Sequence, residues 1–360
     1  MSELARLEIG AVRNILSASL SPSPTMNLLH GENGSGKTSV LEAIHLLGTG
    51  QSFRSTKIDP LINHDADTAT VFAELAQGQH IGLEKSRNRN HQLKLQGQKQ
   101  SGWESVARVL PVQILDAHTF LLLEGGPRAR RRFLDWGVFH VEPEFVDAWR
   151  RTRKCLANRN LLLKSRQVDR AQLAAWEREL DQAATIVDNA RSRYFATFMP
   201  VFLALYKQLA HDSVSEVLLG YERGWEAGKP LAQVLDETLE TDTRYKATQH
   251  GPHRAELQVK IGRNRAIDVM SRGQQKLLVC ALKLAQGQLL ADQLERNCIY
   301  LVDDLPAELD EHNAGVVFEL LRAQGSQIFV TCVNLKALEN TLNSSAEVAQ
   351  FHVERGTITA

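Results

Sequence analysis

Gly31-Glu32-Asn33-Gly34-Ser35-Gly36-Lys37-Thr38 is the stretch whose reading decides the fold of this chain. It matches the phosphate-loop pattern G-x-x-x-x-G-K-[ST] at every fixed position. Met26-Asn27-Leu28-Leu29-His30 before it reads as a short strand. Val40-Leu41-Glu42-Ala43-Ile44-His45-Leu46-Leu47 after it has helical spacing. The strand–loop–helix context that the pattern requires is therefore present. Glycines let backbone N–H groups turn inward around phosphate oxygens, and a helix N-terminus adds positive potential. Lys37 can reach β- and γ-phosphates, and the Thr38 hydroxyl can bind Mg²⁺. The expected nucleotide-binding set is Gly31, Glu32, Asn33, Gly34, Ser35, Gly36, Lys37, Thr38 and Ser39. A glycine-rich turn that merely caps a helix is the plainer alternative.

Working outward, 360 residues exceed one ordinary core, so two lobes are expected. The formal net charge is +0, so any nucleic-acid surface must be a local patch. Cys155, Cys280, Cys298 and Cys332 lack metal-ligand spacing. Reduced core thiols of a cytoplasmic protein are the simplest reading. The first residues, Met1-Ser2-Glu3-Leu4, carry no signal-peptide pattern, and no run approaches the ~20 apolar residues of a membrane helix.

Residues 1–115 read as the N-terminal half of an α/β unit. Arg6 to Ile9 predicts a strand, and Ser21-Pro22-Ser23-Pro24 a turn. Thr70 to Leu75 and His80 to Glu84 alternate around Gln77-Gly78 as a hairpin. Gln92 to Gln96 and Pro111 to Leu115 are further strands. Residues 116–249 change character: strand signals fade and helical spacing takes over. Leu173, Trp176, Leu180, Ala183, Val187, Ala190 and Tyr194 recur at steps of three and four, a heptad stripe. Phe145, Val146, Trp149 and Leu156 mark a helix before it. The two form a helical hairpin or small bundle, either packed in the ordinary way or as a short protruding coiled coil. Residues 250–360 return to α/β pattern: a helix from Met270 to Leu290, a strand from Cys298 to Val302, a helix over Val316 to Leu321 and a strand from Gln327 to Thr331. The nucleotide fold is thus split, with its two halves brought together around an inserted, mainly helical lobe.

The second half of the site lies in that last third. The apolar strand ends in Asp303-Asp304. Asp303 would bind Mg²⁺ through water opposite the phosphate loop, and Asp304 would polarise an attacking water. Ser271-Arg272-Gly273-Gln274-Gln275-Lys276 opens a helix. Ser271 and Gln274 also satisfy a capping box without any function. Phosphate loop, Ser-x-Gly-Gln helix start and acid-ending strand follow one another in the order of the ABC-type ATPases, giving an α/β fold of ABC-type P-loop ATPase head (lobe I) with a helical insertion.

The resemblance narrows further. Gly31 to Ser39, Gln51-Ser52-Phe53-Arg54, Leu123-Glu124-Gly125-Gly126-Pro127 with Arg131-Arg132-Phe133-Leu134-Asp135, Gly251-Pro252-His253-Arg254, Ser271 to Lys276 and Asp303 to Asp310 together resemble the RecF family of bacterial recombination and repair proteins, relatives of the SMC ATPases. The resemblance implies an ATP-dependent DNA-binding protein that dimerises around ATP and hydrolyses it weakly. It also implies action with RecR and RecO in loading RecA at single-strand gaps. Lys37, Asp304, Ser271, Gly273 and Gln274 are the catalytic set it implies, the last three facing the nucleotide of a second subunit.

The chain departs from the ABC pattern at three places. Arg272-Gly273 replaces two glycines, Asp304 replaces a Glu, and Thr331 stands where a His is usual. Asp is one methylene shorter than Glu, about 1.5 Å less reach. Errors near 1 Å can cost ~100-fold in rate. Slow hydrolysis and a switch role are expected. Gln51 and Gln113 are both candidates for a γ-phosphate sensor.

For DNA, basic residues crowd between Arg128 and Arg170, including Arg130, Arg131, Arg150, Arg151, Arg153, Lys154, Arg159, Lys164 and Arg166, with a local balance of roughly +7. Arg150, Arg151, Arg153 and Lys154 are the chief candidates. Arg87 and Arg89, near Lys94, form a second set. A solvated helix face is the alternative. Such contacts position DNA without reading sequence. A transporter's nucleotide-binding subunit and an inactive ATP-binding scaffold are the competing functional readings.

Overall fold

The computed structural model describes residues 2–55, 57–88, 90–165, 169–210, 216–304, 308–333, 335 and 348–360. The chain divides into two compact units, 1–120 with 276–360, and 121–275.

The first unit holds two six-stranded sheets. One is antiparallel: β1 (Leu4–Val12), β2 (Ile15–Leu20), β4 (Thr68–Leu75), β5 (His80–Ser86), β6 (His91–Leu95) and β7 (Gln98–Lys99), in the order β2-β1-β4-β5-β6-β7. Alternating burial along β4 shows why: Ala69, Val71, Ala73 and Leu75 face the core, and Thr68 and Thr70 face water. The other sheet contains β3 (Met26–His30), β8 (Val112–Leu115), β12 (Ile299–Asp303), β13 (Gln327–Cys332), β14 (Val348–Glu354) and β15 (Thr357–Thr359), in the order β15-β14-β3-β13-β12-β8. All its pairings are parallel except β14 with β15. Every residue of β13 is buried, the continuous apolar signature of a strand covered on both faces. Helix α1 (Lys37–Thr49) buries Val40, Leu41, Ala43, Ile44, Leu46 and Leu47 in the same core as Leu7, Ile9, Val71 and Phe329. Short helix α2 (Glu104–Val109) completes this half of the unit.

The second unit is built from α3 (Leu121–Glu124), α4 (Gly126–Val141), α5 (Phe145–Leu163), α6 (Arg170–Ala210), α7 (Leu231–Glu237), α8 (Leu239–Tyr245) and α9 (Ala266–Val269). It also carries a three-stranded sheet of β9 (Val217–Glu222), β10 (Glu256–Ile261) and β11 (Asn264–Arg265). The 41 residues of α6 extend roughly 60 Å. The predicted stripe is its buried face, and it continues through Phe198, Phe202, Leu205 and Leu209. Trp176 is only half-buried and packs on a small core of Cys155, Leu156, Leu180, Ala184, Trp225, Leu231, Val234 and Leu235. Helix α10 (Arg272–Leu294) starts in the second unit and continues into the first, which also holds α11 (Glu311–Ala323).

Three expectations change. Residues 250–275, expected in the head, lie in the second unit, because β10 pairs with β9 over Leu257↔Tyr221 and Val259↔Leu219. Strand signals do not fade throughout 116–249: β9 is a strand whose alternation is cut short by Gly220. Finally, β14 and β15 were not anticipated, although Phe351 and Val353 alternate with exposed Gln350, His352 and Glu354. Arg89, Arg166 and Leu305-Pro306-Ala307 lie outside the described residues.

The Arg-Arg-Phe-Leu-Asp and Gly-Pro-His-Arg segments turn out to be joined to each other. Arg191 on α6 is fully buried, donates to both Asp135 oxygens at 2.8 and 3.0 Å, and donates to the Pro252 carbonyl at 2.7 Å. Arg131 donates to the Ala255 carbonyl at 2.7 Å, and Arg130 grips Glu256 with two 2.8 Å bonds. Arg159, also fully buried, donates to Asp242 at 2.6 Å and Glu177 at 2.9 Å. Burial pushes the His253 imidazole down to about 4, so at neutral pH it is uncharged and its Nε2 donates to the Thr248 carbonyl at 3.0 Å. Breaking one side of a buried pair leaves an uncompensated charge and costs about 3–5 kcal/mol. Asp135→Ala is therefore expected to lower the stability of the helical unit by an amount in that range, followed by circular dichroism in urea. A loss under ~1 kcal/mol would show that Arg191 is not held by this pair.

Candidate nucleotide site

The site is assembled at the C-terminal ends of three adjacent parallel strands, β3, β13 and β12, where ligands of open α/β sheets bind. After β3 the chain enters the phosphate loop. Gly34 and Gly36 have φ of 78° and 122°, values that L side chains rarely adopt, so the loop needs glycine there. Gly36 is the N-cap of α1 and offers no side-chain cap, leaving the first N–H groups for a ligand. The Lys37 ammonium donates to the Gly31 and Glu32 carbonyls at 2.7 and 2.8 Å. Burial lowers its pKa, while Asp304, Cys332 and Asp303 act in the opposite direction.

The β12 end is tied to this loop by a chain of hydroxyls. Thr38 donates to Asp303 Oδ1 at 2.9 Å, and Thr331 donates to the same oxygen at 2.7 Å. Thr331 in turn accepts from the Asp304 N–H at 2.9 Å. Burial raises the Asp303 pKa, the two threonine hydrogen bonds oppose that, and Asp116 and Asp304 reinforce it. Asp304 sits at φ 53°, a left-handed conformation that Asp tolerates better than most residues. A hydroxyl and a carboxylate meeting in this way are the hard oxygen donors that Mg²⁺ prefers.

These groups open onto a cavity of about 840 Å³. Asn33, Gly34, Ser35, Gly36, Lys37, Thr38, Ser39, Asp303, Asp304 and Thr331 all line it. Gly31 and Glu32 do not, and serve Lys37 through their carbonyls. The Ser35 hydroxyl is buried and has no hydrogen-bond partner among the described residues, as expected of a donor meant for phosphate oxygens.

Other expected site residues fall elsewhere. Ser271, Gly273 and Gln274 belong to the second unit. Ser271 Oγ accepts from the Gln274 N–H at 3.3 Å, and Gln274 Oε1 accepts from the Ser271 N–H at 2.9 Å, so the capping box is formed. Ser271 and Gly273 are exposed, and a Cβ at Gly273 would meet nothing within 4 Å. Neither candidate γ-phosphate sensor lines the cavity. Gln113 is buried and held by Lys283 and Gln286, and Gln51 follows the far end of α1, about 20 Å along the helix. Arg87 is half-buried: its guanidinium donates to the Ala66 and Asn63 carbonyls, and the residue lines the same cavity.

The sequence reading missed Arg13, Asn14, Arg54, Asn63, His64 and Asp65, all of which line the cavity. Arg13 donates to both oxygens of the buried Glu42 on α1 at 2.7 and 2.6 Å. Asn63 Nδ2 donates to the Arg13 carbonyl at 2.6 Å. The signal was a polar Arg-Asn pair between two apolar runs, the turn of the β1–β2 hairpin.

Among the basic residues of the second unit, Arg130, Arg131 and Arg159 are committed to internal partners. Arg150, Arg151, Arg153, Lys154 and Lys164 are exposed along α5 and its C-terminal end. Arg150 pairs with Asp147 and Arg151 with Glu179 across the surface. Among the described residues no helix is long and apolar enough to cross a membrane, and no cluster of three or more His, Cys, Asp or Glu could hold a metal ion.

A split α/β head with its phosphate loop and acid strand at the C-terminal ends of one parallel set of strands, interrupted by a helical unit, defines the class of SMC-like ABC-type ATPase heads. Residues 3–359 match the RecF/RecN/SMC N terminal domain, and the chain belongs to the RecF family. It is 45% identical over 360 residues to the DNA replication and repair protein RecF of Pseudomonas fluorescens, covering 99% of this chain and 98% of the relative. The protein of the same name from Pseudomonas entomophila matches equally, at 45%. In fold, the chain is similar to a RecF-ATP structure of the RecFOR pathway, with a TM-score of 0.85 at 24% identity over 99% of this chain and 97% of that one.

Proposed function

We propose that the chain is an ATP-dependent DNA-binding protein of recombinational repair and replication-fork maintenance in the cytoplasm. The observation that supports the reading is the Thr38–Asp303 bond, which links the phosphate loop to the acid strand through two residues that both line the cavity. Its relatives are named DNA replication and repair proteins, and a neighbour in fold is a RecF-ATP structure. Membership of this family disfavours the transporter-subunit alternative.

Lys37 would neutralise the β- and γ-phosphates, with the α1 N-terminus and the Ser35 hydroxyl supplying further donors. Thr38 and Asp303 would hold Mg²⁺, which when bound neutralises charge on phosphate oxygens. Asp304 would orient a water, with the short reach expected of a slow ATPase. Hydrolysis would then act as a switch. By family resemblance, the protein would work with RecR and RecO to load RecA at gaps, binding DNA by structure and backbone rather than by sequence.

Within one protomer Ser271 caps its helix and Gly273 faces solvent. They offer a hydroxyl, backbone N–H groups and the positive end of a 23-residue helix. In an ATP-linked homodimer with two-fold symmetry, that helix start would cover the partner's nucleotide. Ser271→Arg is expected to bind ATP with near wild-type affinity yet fail to dimerise when ATP and Mg²⁺ are added, read by light scattering. Capping alone would instead cost ~1 kcal/mol of stability and leave association intact.

For DNA, the exposed side of α5 is the favoured surface. Replacing Arg150, Arg153 and Lys154 with Ala is expected to weaken gapped-DNA binding in gel shifts. It should also flatten the log–log salt dependence by about 1 for each phosphate that is no longer neutralised. An unchanged slope would leave these residues as a solvated helix face.

A further inference from the structure

Asn14 lies in the β1–β2 turn, lines the cavity beside the phosphate loop, and turns both polar atoms of its side chain to the loop and the first turn of α1. Its Nδ2 donates to the Gly34 carbonyl at 3.2 Å and to the Ser35 carbonyl at 2.9 Å. Its Oδ1 accepts from the Ser39 hydroxyl, in the first turn of α1, at 2.9 Å. A loop that presents its N–H groups inward must turn its carbonyls outward, and each of those needs a donor. Asn14 supplies a donor for two of them at once. A Cβ on Gly36 would come within 3.1 Å of Asn14 Nδ2, so the amide is seated against the loop.

A second turn closes on the same place from the C-terminal hairpin. The Gly356 N–H donates to the Ser35 carbonyl at 2.7 Å. Gly356 has φ 83°, and a Cβ there would meet the Asn14 carbonyl oxygen at 2.1 Å. Only glycine lets this turn reach both the loop and Asn14. The Asn14 turn is itself anchored, since the neighbouring Arg13 holds Glu42 of α1 and the Pro60 carbonyl. The Ser35 carbonyl thus receives one donor from each hairpin, while the Ser35 hydroxyl remains unpartnered on the cavity-lining loop.

We propose that Asn14 is a positioning residue for nucleotide binding: together with the Gly356 turn it holds the phosphate loop in its binding shape before any ligand arrives. The proposal rests on the nucleotide reading of the cavity. A loop fixed in advance does not lose freedom when a ligand binds, so loosening it weakens binding without removing a ligand contact. Asn14→Asp keeps the size and the acceptor for Ser39 but cannot donate to the two carbonyls. Gly356→Ala disturbs the same brace from an element that does not line the cavity.

The test is calorimetric titration of each full-length variant with ATP and Mg²⁺, beside a thermal melt of the ligand-free protein. Both variants are expected to bind ATP at least ~10-fold more weakly, with the ligand-free protein still folded at the titration temperature. Affinity within about twofold of wild type for a folded Asn14→Asp protein would overturn the proposal. So would a weakening that disappears once only the folded fraction is counted. Should the wild-type protein itself fail to bind ATP, the nucleotide reading falls, an outcome set apart from any behaviour of the variants.

Discussion

The hydrogen bond from Thr38 to Asp303 spans 265 residues of sequence and holds the two ends of this chain to one purpose. Thr38 is placed by the phosphate loop and α1, and Asp303 is the last residue of β12. Between them Thr331, the residue of β13 in register with Asp303, donates to the carboxylate and accepts from the Asp304 N–H. The strands β3, β13 and β12 are buried and parallel, so none can slide by one residue without exchanging its two packed faces. That constraint makes the position of the two acids relative to the loop a property of the sheet. It also gives Thr331 a role that its lack of charge had obscured: it ties both acids to the neighbouring strand.

The sequence made the first unit legible where chemistry and periodicity agreed. The phosphate loop, α1, the β4–β5 hairpin, β12 and β13 were readable because each combines an apolar pattern with an unambiguous turn or end signal. The braces around the loop were not. Asn14 and Gly356 donate to backbone carbonyls of the loop, and a carbonyl leaves no trace in the sequence, while the Glu42 carboxylate that Arg13 grips lies 29 residues away. Their side chains are ordinary for a hairpin turn, and only the fold brings residues 14, 35 and 356 together.

The second unit shows the opposite failure, in which charge was legible but its destination was not. Arginines between 128 and 170 read as a block of positive charge. Yet Arg130, Arg131 and Arg159 turn inward, to Glu256, the Ala255 carbonyl and the Asp242–Glu177 pair. Their partners lie 18 to 126 residues away, so no local count of charge could reveal them. Buried ion pairs contribute little net stability compared with apolar packing, but breaking one is costly. Among the described residues of that block, the arginines left exposed are Arg128 and Arg132 on α4, Arg150, Arg151 and Arg153 on α5, and Arg170 at the start of α6.

In the proposed function the cavity is a triphosphate site organised by Lys37. Calorimetric titration of Lys37→Ala with ATP and Mg²⁺ tests that most directly. Removing a cation from a desolvated charge pair costs ~2–5 kcal/mol. The account therefore predicts an affinity at least ~30-fold below that of the wild-type protein. Wild-type affinity in a folded Lys37→Ala protein would contradict it.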